Sequence, residues 1–122
     1  GSLMTTILDK KEISNPNVVK VVVDNYDFAM YFSRHPIPYN LEKIRYNNLK
    51  HIGVYAFRKD VLTKISAQGK TRIESLEKIE AIRFIEMGYK VKMVKTENFS
   101  IGIDTKEDLK KANEIIKLKQ YD

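Results

Sequence analysis

The amino-acid sequence predicts a mixed α/β domain in which helices flank a sheet. The run from Val18 to Val23 is dense in β-branched residues, which is typical of a strand. Between Thr71 and Met87 apolar residues recur at helical spacing, and Gly88 follows where a left-handed residue ends a helix at little cost. Strands and helices then alternate along the rest of the chain, as they do in α/β folds.

Length and composition fit one globular domain. The 122 residues are 43% hydrophobic and 31% charged, and a chain of this length supports one compact core. No apolar run approaches the roughly 20 residues that span a bilayer. Residues 1–10 lack the apolar region of a signal peptide, so we expect a cytoplasmic protein. The absence of cysteine excludes disulfides and thiolate chemistry. We interpret residues 1–3 as left over from cloning and residues 4–122 as the single domain.

The lysines that contribute to the net charge of +6 are spread along the chain. Several lysines belong to the last predicted helix, where they lie on its polar face or near the negative end of its dipole. They are Lys106, Lys110, Lys111, Lys117 and Lys119. We therefore interpret most of them as a solvated face.

The first half of the chain predicts a β-hairpin followed by a loop. Pro16 lies in a strong turn signal, and Pro36 and Pro38 cannot supply a regular ladder of donors, so the chain must leave the sheet there. The two strands and the polar turn between them are predicted at Val18–Val23, Phe28–Ser33 and Asp24–Asp27.

The second half predicts three more strands and three helices. Gly53 lies inside one strand, where it marks a bulge or a place where a ligand or another backbone approaches closely. The predicted strands are His51–Phe57, Lys90–Lys95 and Phe99–Ile103. The predicted helices are Asp60–Ser66, Thr71–Met87 and a final helix that begins after Thr105.

Asp104 is the first candidate for binding chemistry. It follows a short apolar strand and precedes the last helix, which Thr105 can cap together with Asp108. Asp104 is then not needed for capping. A carboxylate at the carboxyl end of a strand, where open α/β sheets bind ligands, suits Mg²⁺. The alternative is that Asp104 is itself the N-cap residue.

A second candidate is a charged group on the predicted helix Thr71–Met87. Glu77, Glu80 and Arg83 fall within its apolar arc, where ionised groups must pair, bind something or reach the edge of the core. Two interpretations stay open. Glu80 and Arg83 form an ion pair at the rim of the core, or Glu80 points into a cleft and accepts hydrogen bonds from a polyhydroxylated ligand.

Three further residues are candidates because of their places on strands. Arg34 ends its strand just before the proline loop, where a guanidinium suits a carboxylate or phosphate. His51, Gly53 and Tyr55 alternate onto one face of their strand, where a sugar could lie. The alternatives are a strand-terminal surface arginine and a row of half-buried residues that pack in the sheet.

Four ordered segments of the chain together resemble the 3-deoxy-manno-octulosonate cytidylyltransferases, or CMP-Kdo synthetases. These segments are Asn15–Val22, Tyr31–Pro38, His51–Phe57 and Gly102–Leu109. The resemblance extends over nearly the whole chain but covers only the carboxyl-terminal half of the family.

The resemblance implies a partial nucleotidyltransferase fold of the nucleotide-diphospho-sugar transferase type, with a mixed sheet and flanking helices. It also implies an enzyme that uses Mg²⁺ to join CTP and the acid sugar Kdo into CMP-Kdo and pyrophosphate for lipopolysaccharide synthesis. The family's glycine- and lysine-rich loop and its Gly-Asp-Glu-Pro-like segment are missing from this sequence. We therefore expect the chain to supply the sugar side and a dimer contact, and to be inactive alone.

The resemblance also implies roles for five residues. Asp104 matches the family's Mg²⁺ ligand, on which catalysis depends. Arg34, His51 and Tyr55 match positions that line the Kdo pocket, and Glu80 matches a pocket carboxylate. One position departs from the family, because Ala81 stands where glutamine is usual, which implies that one amide contact to the sugar is missing.

Two functions from other classes remain as alternatives. The chain could act as an association module that only dimerises or pairs with a nucleotide-binding half, since exposed strand edges favour pairing. It could also be a small nucleic-acid-binding domain, because aromatic residues lie near Arg34 and Arg58. We expect no nucleic acid or membrane partner, since the same aromatic residues are explained as part of the sheet.

Overall fold

The computed structural model describes residues 1–97 and 102–119 of the chain. In chain order the strands are β1 (Ser2–Thr6), β2 (Lys20–Val23), β3 (Ala29–Ser33), β4 (Leu49–Tyr55) and β5 (Met93–Lys95). The helices are α1 (Lys11–Ser14), α2 (Lys59–Gln68), α3 (Arg72–Glu77), α4 (Ala81–Glu86) and α5 (Lys106–Lys119).

The five strands form one mixed sheet in the order β3-β2-β4-β1-β5. Only β1 and β5 are parallel, and the other three neighbouring pairs are antiparallel. Met4 lies opposite His51 in the β1–β4 pair, and Val21 lies opposite Phe32 in the β2–β3 pair. The predicted mixed sheet with flanking helices is confirmed.

Strand β1 is not predicted from the sequence, although it lies inside the sheet between β4 and β5. Ser2 is buried, and its backbone N–H donates to the carbonyl of Lys92 over 2.9 Å. The carbonyl of Gly1 accepts from the N–H of Ala56, also over 2.9 Å. The exclusion of residues 1–3 from the fold is therefore corrected, while their origin in cloning stays a prediction.

The predicted β-hairpin is confirmed as β2 and β3, which pair antiparallel from Lys20 opposite Ser33 to Val23 opposite Ala29. Asp24 shapes the turn, because its Oδ1 accepts the backbone N–H groups of Tyr26 and Phe28 over 2.8 and 3.0 Å.

The predicted single helix from Thr71 to Met87 is wrong. It is broken into α3 and α4, because Lys78 takes the left-handed conformation with φ 59°. The N–H of Lys78 bonds to the carbonyl of Glu74 over 2.8 Å and closes the last turn of α3. Positions 77, 80 and 83 therefore do not share one continuous helical arc.

A buried apolar cluster between the sheet and the helices forms the core. Its members come from four strands and from α2, α4 and their neighbours: Met4, Val21, Phe32, Ile65, Ile79, Ala81, Ile82, Phe84, Val91 and Met93. Lys20 is also fully buried, at 0% exposure. Its ammonium group donates to the carbonyls of Asn15, Val18 and Arg34, so the charge is solvated by the main chain.

The end of the chain is described only in part. The predicted strand Phe99–Ile103 falls largely on residues 98–101, which lie outside the described residues, and Gly102 and Ile103 are not in a strand. The final helix is present as α5. Among the described residues, none of the helices has the length and apolar character needed to cross a membrane.

Candidate functional site

The aromatic row on strand β4 is the centre of the candidate site. The His51 ring lies 4.8 Å from the Phe32 ring and 5.5 Å from the Tyr55 ring, measured between centroids. Tyr55 in turn meets Phe84 of α4 edge-on at 5.4 Å. The predicted face of His51 and Tyr55 therefore packs against the core on one side, and both residues are half-buried.

His51 is a neutral hydrogen-bonding group rather than a cation at neutral pH. Burial lowers its pKa to about 4. Its Nε2 lies 2.7 Å from the hydroxyl oxygen of Ser2, within hydrogen-bond distance. A sugar carboxylate would therefore meet an uncharged imidazole here.

Tyr55 and Glu80 are brought into one region although they come from different elements. Burial, together with a smaller effect of the negative charge of Glu80, raises the pKa of Tyr55 to about 12. Glu80 is exposed and stands at the start of α4, immediately before its first residue. A phenol that stays protonated and a free carboxylate together offer a donor and an acceptor to a hydroxylated ligand.

An open cavity of about 430 Å³ begins at Tyr55. Its wall is largely apolar and carries two basic residues, Arg58 and Lys90. The main apolar residues in the wall are Tyr55, Phe57, Val61, Ile65, Phe84 and Val91. Such a cavity has the size of a small-molecule site, and its basic residues suit an anion.

Arg34 is held by the main chain. Its Nε donates to the carbonyl of Glu77 over 3.0 Å, and its two terminal nitrogens donate to the carbonyls of Pro16 and Lys78 over 2.8 and 2.9 Å. The side chain is half-buried. The guanidinium therefore joins three segments of the fold, and in the described part of the chain two of its five N–H groups remain for a ligand.

Glu77 anchors α3 to the end of β3. Its carboxylate accepts from the Tyr31 and Ser33 hydroxyls over 3.0 and 2.8 Å, and from the backbone N–H of Arg34 over 3.3 Å. Burial raises the pKa of Glu77, but the hydrogen bonds from Ser33, Arg34 and Tyr31 outweigh it and hold the pKa below its usual range. Glu77 is therefore a structural carboxylate.

Arg83 pairs with Glu74 and not with Glu80. Its Nε and one terminal nitrogen reach the two carboxylate oxygens of Glu74 over 2.9 and 2.7 Å, which is a bidentate ion pair. The hydrogen bond from Arg83 and a backbone bond from Thr71 hold the pKa of Glu74 at about 2 against burial. The predicted ion pair between Glu80 and Arg83 is therefore wrong, and within residues 1–97 and 102–119 no salt bridge occupies the Glu80 carboxylate.

Ala81 is buried in the core. It is 0% exposed and belongs to the core cluster. The methyl group of Ala81 therefore packs in the core, and the amide contact to the sugar stays a prediction of the resemblance.

Asp104 is exposed and is not used for capping. Thr105 and Asp108 cap α5 reciprocally, because the N–H of Thr105 donates to Asp108 Oδ2 over 3.0 Å and the N–H of Asp108 donates to Thr105 Oγ1 over 3.1 Å. Within the described residues no group of three or more His, Cys, Asp or Glu side chains could hold a metal. A single carboxylate fits Mg²⁺ only together with substrate phosphates, waters or ligands from elsewhere.

The structure thus groups three of the five predicted residues. His51, Tyr55 and Glu80 share one region. Arg34 bonds to the turn after α3. In residues 1–97 and 102–119, Asp104 makes no hydrogen bond or ion pair with the other four predicted residues. The wall of the cavity is not predicted from the sequence. Phe57 ends a predicted strand and Arg58 directly follows it, which is the one signal that could have indicated this wall.

The fold is that of an α/β nucleotidyltransferase. The chain superposes with a TM-score of 0.86 on a CMP:2-keto-3-deoxy-manno-octonic acid synthetase solved in complex with CTP, at 33% sequence identity. The superposition covers 97% of this chain and 48% of that one. The chain belongs to the cytidylyltransferase family, because residues 2–94 match the family model described as Cytidylyltransferase.

Similar proteins carry a more specific name. A 3-deoxy-manno-octulosonate cytidylyltransferase of Christiangramia forsetii is 48% identical over 116 residues, which are 94% of this chain and 47% of that protein. A protein of the same name from Fusobacterium nucleatum is 41% identical over 117 residues, with 96% and 48% covered. The chain spans about half the length of these relatives.

Proposed function

We propose that the chain forms the acid-sugar side of a 3-deoxy-manno-octulosonate cytidylyltransferase, which transfers CMP from CTP to Kdo for lipopolysaccharide synthesis in the cytoplasm. The superposition on a synthetase complexed with CTP, at a TM-score of 0.86, is the observation that carries this proposal. Relatives with this name match nearly the whole chain and support the choice of sugar.

In the proposed reaction the anomeric hydroxyl of Kdo attacks the α-phosphate of CTP. A new P–O bond forms, the bond from the α-phosphorus to the oxygen that bridges to the β-phosphate breaks, pyrophosphate leaves with that oxygen, and the proton of the hydroxyl passes to solvent water. Catalysis of this kind consists mainly of positioning and electrostatic stabilisation. The residues of this chain would orient the sugar.

Each predicted residue has a place in this scheme. The phenol of Tyr55 would donate a hydrogen bond to a sugar hydroxyl, and the carboxylate of Glu80 would accept a hydrogen bond from another hydroxyl. Neutral His51 would hydrogen-bond to the sugar, while the two remaining N–H groups of Arg34 would meet its carboxylate. Asp104 would hold Mg²⁺, which when bound neutralises phosphate charge.

The proposed function predicts that this chain is inactive alone and active once it is completed. The part of the Christiangramia forsetii relative that the chain does not match should be joined to it in one polypeptide, in the relative's order. Pyrophosphate release that requires both CTP and Kdo is expected from the joined polypeptide and from neither part alone. Product formed by the chain alone would contradict the proposed inactivity. A folded joined polypeptide that accepts another acid sugar but not Kdo would overturn the substrate.

A second candidate function is a non-catalytic association module, which dimerises. The loop before β4 favours it, because Tyr39, Leu41 and Ile44 are 85%, 73% and 67% exposed. Sedimentation at several concentrations tests this candidate. A stable dimer of the chain, combined with an inactive joined polypeptide, would favour the module over the enzyme.

A further inference from the structure

Arg34 is bound at both of its peptide groups by charged side chains. Its backbone N–H donates to the Glu77 carboxylate over 3.3 Å, and its carbonyl accepts from the ammonium group of Lys20. Lys20 is 0% exposed, so this ammonium group is enclosed by the fold. The main chain at Arg34 is therefore fixed from two sides, which sets the point from which the guanidinium side chain extends.

Glu77 also determines where the guanidinium lies. The Nε of Arg34 donates to the backbone carbonyl of Glu77 over 3.0 Å, and a terminal nitrogen donates to the carbonyl of Lys78 over 2.9 Å. The Glu77 carboxylate is itself held by the hydroxyls of Tyr31 and Ser33 over 3.0 and 2.8 Å. Glu77 thus supplies one acceptor to the main chain of Arg34 and one to its side chain, and β3 holds its carboxylate in place.

The Glu77 carboxylate orients Arg34 without pairing with the guanidinium. In residues 1–97 and 102–119, neither of the observed ion pairs includes Arg34. Burial and then the positive charge of Arg34 lower the pKa of Lys20, while the charge of Glu77 acts in the opposite direction, so the three groups influence one another. Together these three groups carry two positive charges and one negative charge. A ligand with a single carboxylate would balance the remaining positive charge.

We propose that Glu77 is a positioning residue that orients the guanidinium of Arg34 for the carboxylate of the acid sugar. This inference rests on the proposed function, in which Arg34 meets that carboxylate. A guanidinium binds a carboxylate through directed hydrogen bonds, so a change in its position weakens the contact. The alternative is that Glu77 only anchors α3, and that role would not distinguish the sugar from CTP.

Glu77→Gln and Glu86→Gln form a matched pair of substitutions. The first keeps one oxygen for the hydroxyls of β3 but places an amide donor against the backbone N–H of Arg34. Glu86 is exposed and accepts the backbone N–H groups of Ile73 and Glu74 over 3.1 and 3.3 Å, at the opposite end of α3. Both substitutions therefore weaken an anchor of α3, but only the first acts on Arg34.

Steady-state kinetics of the joined polypeptide tests the positioning. We expect Glu77→Gln to raise the KM for Kdo about tenfold and to change the KM for CTP by less than about threefold. Glu86→Gln should leave both KM values within about threefold of those of the unsubstituted polypeptide. Equal increases in the KM for Kdo and for CTP would overturn the proposal, and so would equal effects of the two substitutions.

The carboxamide of Kdo shows whether the effect acts on the sugar carboxylate. This probe has no negative charge, and its inhibition constant against Kdo should be nearly the same in Glu77→Gln as in the unsubstituted joined polypeptide. Inhibition that weakens by the same factor as the KM for Kdo rises would overturn the proposal, because Glu77 would then act on another part of the sugar.

A milder substitution covers the case in which Glu77→Gln does not fold. Tyr31→Phe removes one donor to the Glu77 carboxylate and keeps its charge. We expect this variant to raise the KM for Kdo about twofold to threefold and to leave the KM for CTP unchanged. Two unchanged KM values would overturn the proposal.

Hydrogen exchange at the Arg34 Nε–H gives a readout that does not need activity. NMR of the chain alone should show this proton exchanging with solvent about tenfold faster in Glu77→Gln than in Glu86→Gln, because the first substitution loosens the guanidinium. Equal exchange in the two variants would overturn the proposal.

These readouts separate the positioning from the proposed function. An unsubstituted joined polypeptide that releases no pyrophosphate from CTP and Kdo would contradict the function, while the exchange measurement still decides whether Glu77 holds the guanidinium. Pyrophosphate release with an unchanged KM for Kdo in Glu77→Gln would support the function and overturn the positioning.

Discussion

Arg34 donates two hydrogen bonds to Glu77, one from its side chain to the Glu77 backbone and one from its backbone to the Glu77 side chain. The Arg34 Nε donates to the Glu77 carbonyl over 3.0 Å, while the backbone N–H of Arg34 donates to the Glu77 carboxylate over 3.3 Å. This exchange fixes the end of β3 to the end of α3. A residue expected to bind substrate is thus first of all a part of the fold.

Replacing Arg34 with alanine should lower the free energy of unfolding by about 2–3 kcal/mol, because three hydrogen bonds from a charged group to carbonyls are lost. Urea unfolding of the chain at pH 7 measures the loss. Arg45→Ala is the matched control, since Arg45 is exposed and such a change usually stays within about 0.5 kcal/mol. Equal, small effects of the two substitutions would show that Arg34 does not hold the fold.

Glu74→Ala should destabilise the chain by about 3 kcal/mol or more, because it leaves the guanidinium of Arg83 without its partner in a largely buried place. Glu80→Ala removes the same charge from an exposed position nearby and should change stability little. Thermal or urea unfolding compares the two variants. Similar losses at both positions would contradict the assignment of the ion pair to Glu74.

Stability should depend on His51 between neutral and mildly acidic pH. Burial lowers its folded-state pKa from 6.5 to about 4, so below pH 6.5 the unfolded chain binds the proton more readily. The contribution is complete above pH 6.5 and is lost as the pH falls towards 4. Between pH 7.5 and 5 we expect a loss of about 2 kcal/mol.

His51→Gln, which cannot titrate, provides the control for this pH dependence. The variant should lack that part of the slope, as measured by urea unfolding at several pH values. An NMR titration of His51 in the folded chain gives an independent check. A measured pKa near 6.5 would contradict the prediction whatever the stability of the variant.

Asp104→Asn should lower the rate of the joined polypeptide at least 100-fold while α5 stays capped, because Thr105 and Asp108 do the capping. Initial rates against Mg²⁺ concentration test this, with circular dichroism to follow helix content. Glu107→Gln removes an exposed carboxylate from the same turn and serves as the control. Full activity of Asp104→Asn at saturating Mg²⁺ would remove Asp104 from the metal site.

Local sequence signals predicted the elements whose causes are local. The β-branched run before Asp24 gave a hairpin, and the spacing of Thr105 and Asp108 gave the observed cap. Both structures depend on residues a few positions apart, so a pattern in the sequence contains their cause.

The break at Lys78 has a cause that lies far away in the chain. Arg34 donates to the carbonyls of Glu77 and Lys78, 43 and 44 residues further on, and so stabilises the turn where the helix stops. No glycine or proline marks that position. A helical pattern from Thr71 to Met87 cannot contain this contact. The assumption of one continuous helix also led to the wrong partner for Arg83, since it placed Glu80 one turn away.

The candidate site also has a part that the sequence predicts and a part that depends on contacts between distant residues. The common face of His51 and Tyr55 follows from strand alternation alone. Their nearness to Glu80, and the cavity between Phe57 and Phe84, depend on how α4 packs on the sheet. That packing could not be derived from the spacing of these residues.

The burial of Lys20 gives the chain a chemical reporter of its own unfolding. Its amine is enclosed by carbonyls of Asn15, Val18 and Arg34, so an acylating reagent can reach it only after the turn at Pro16 comes apart from β3. Mass spectrometry of labelled peptides would then time this opening against the exposed lysines of α5 in the same sample.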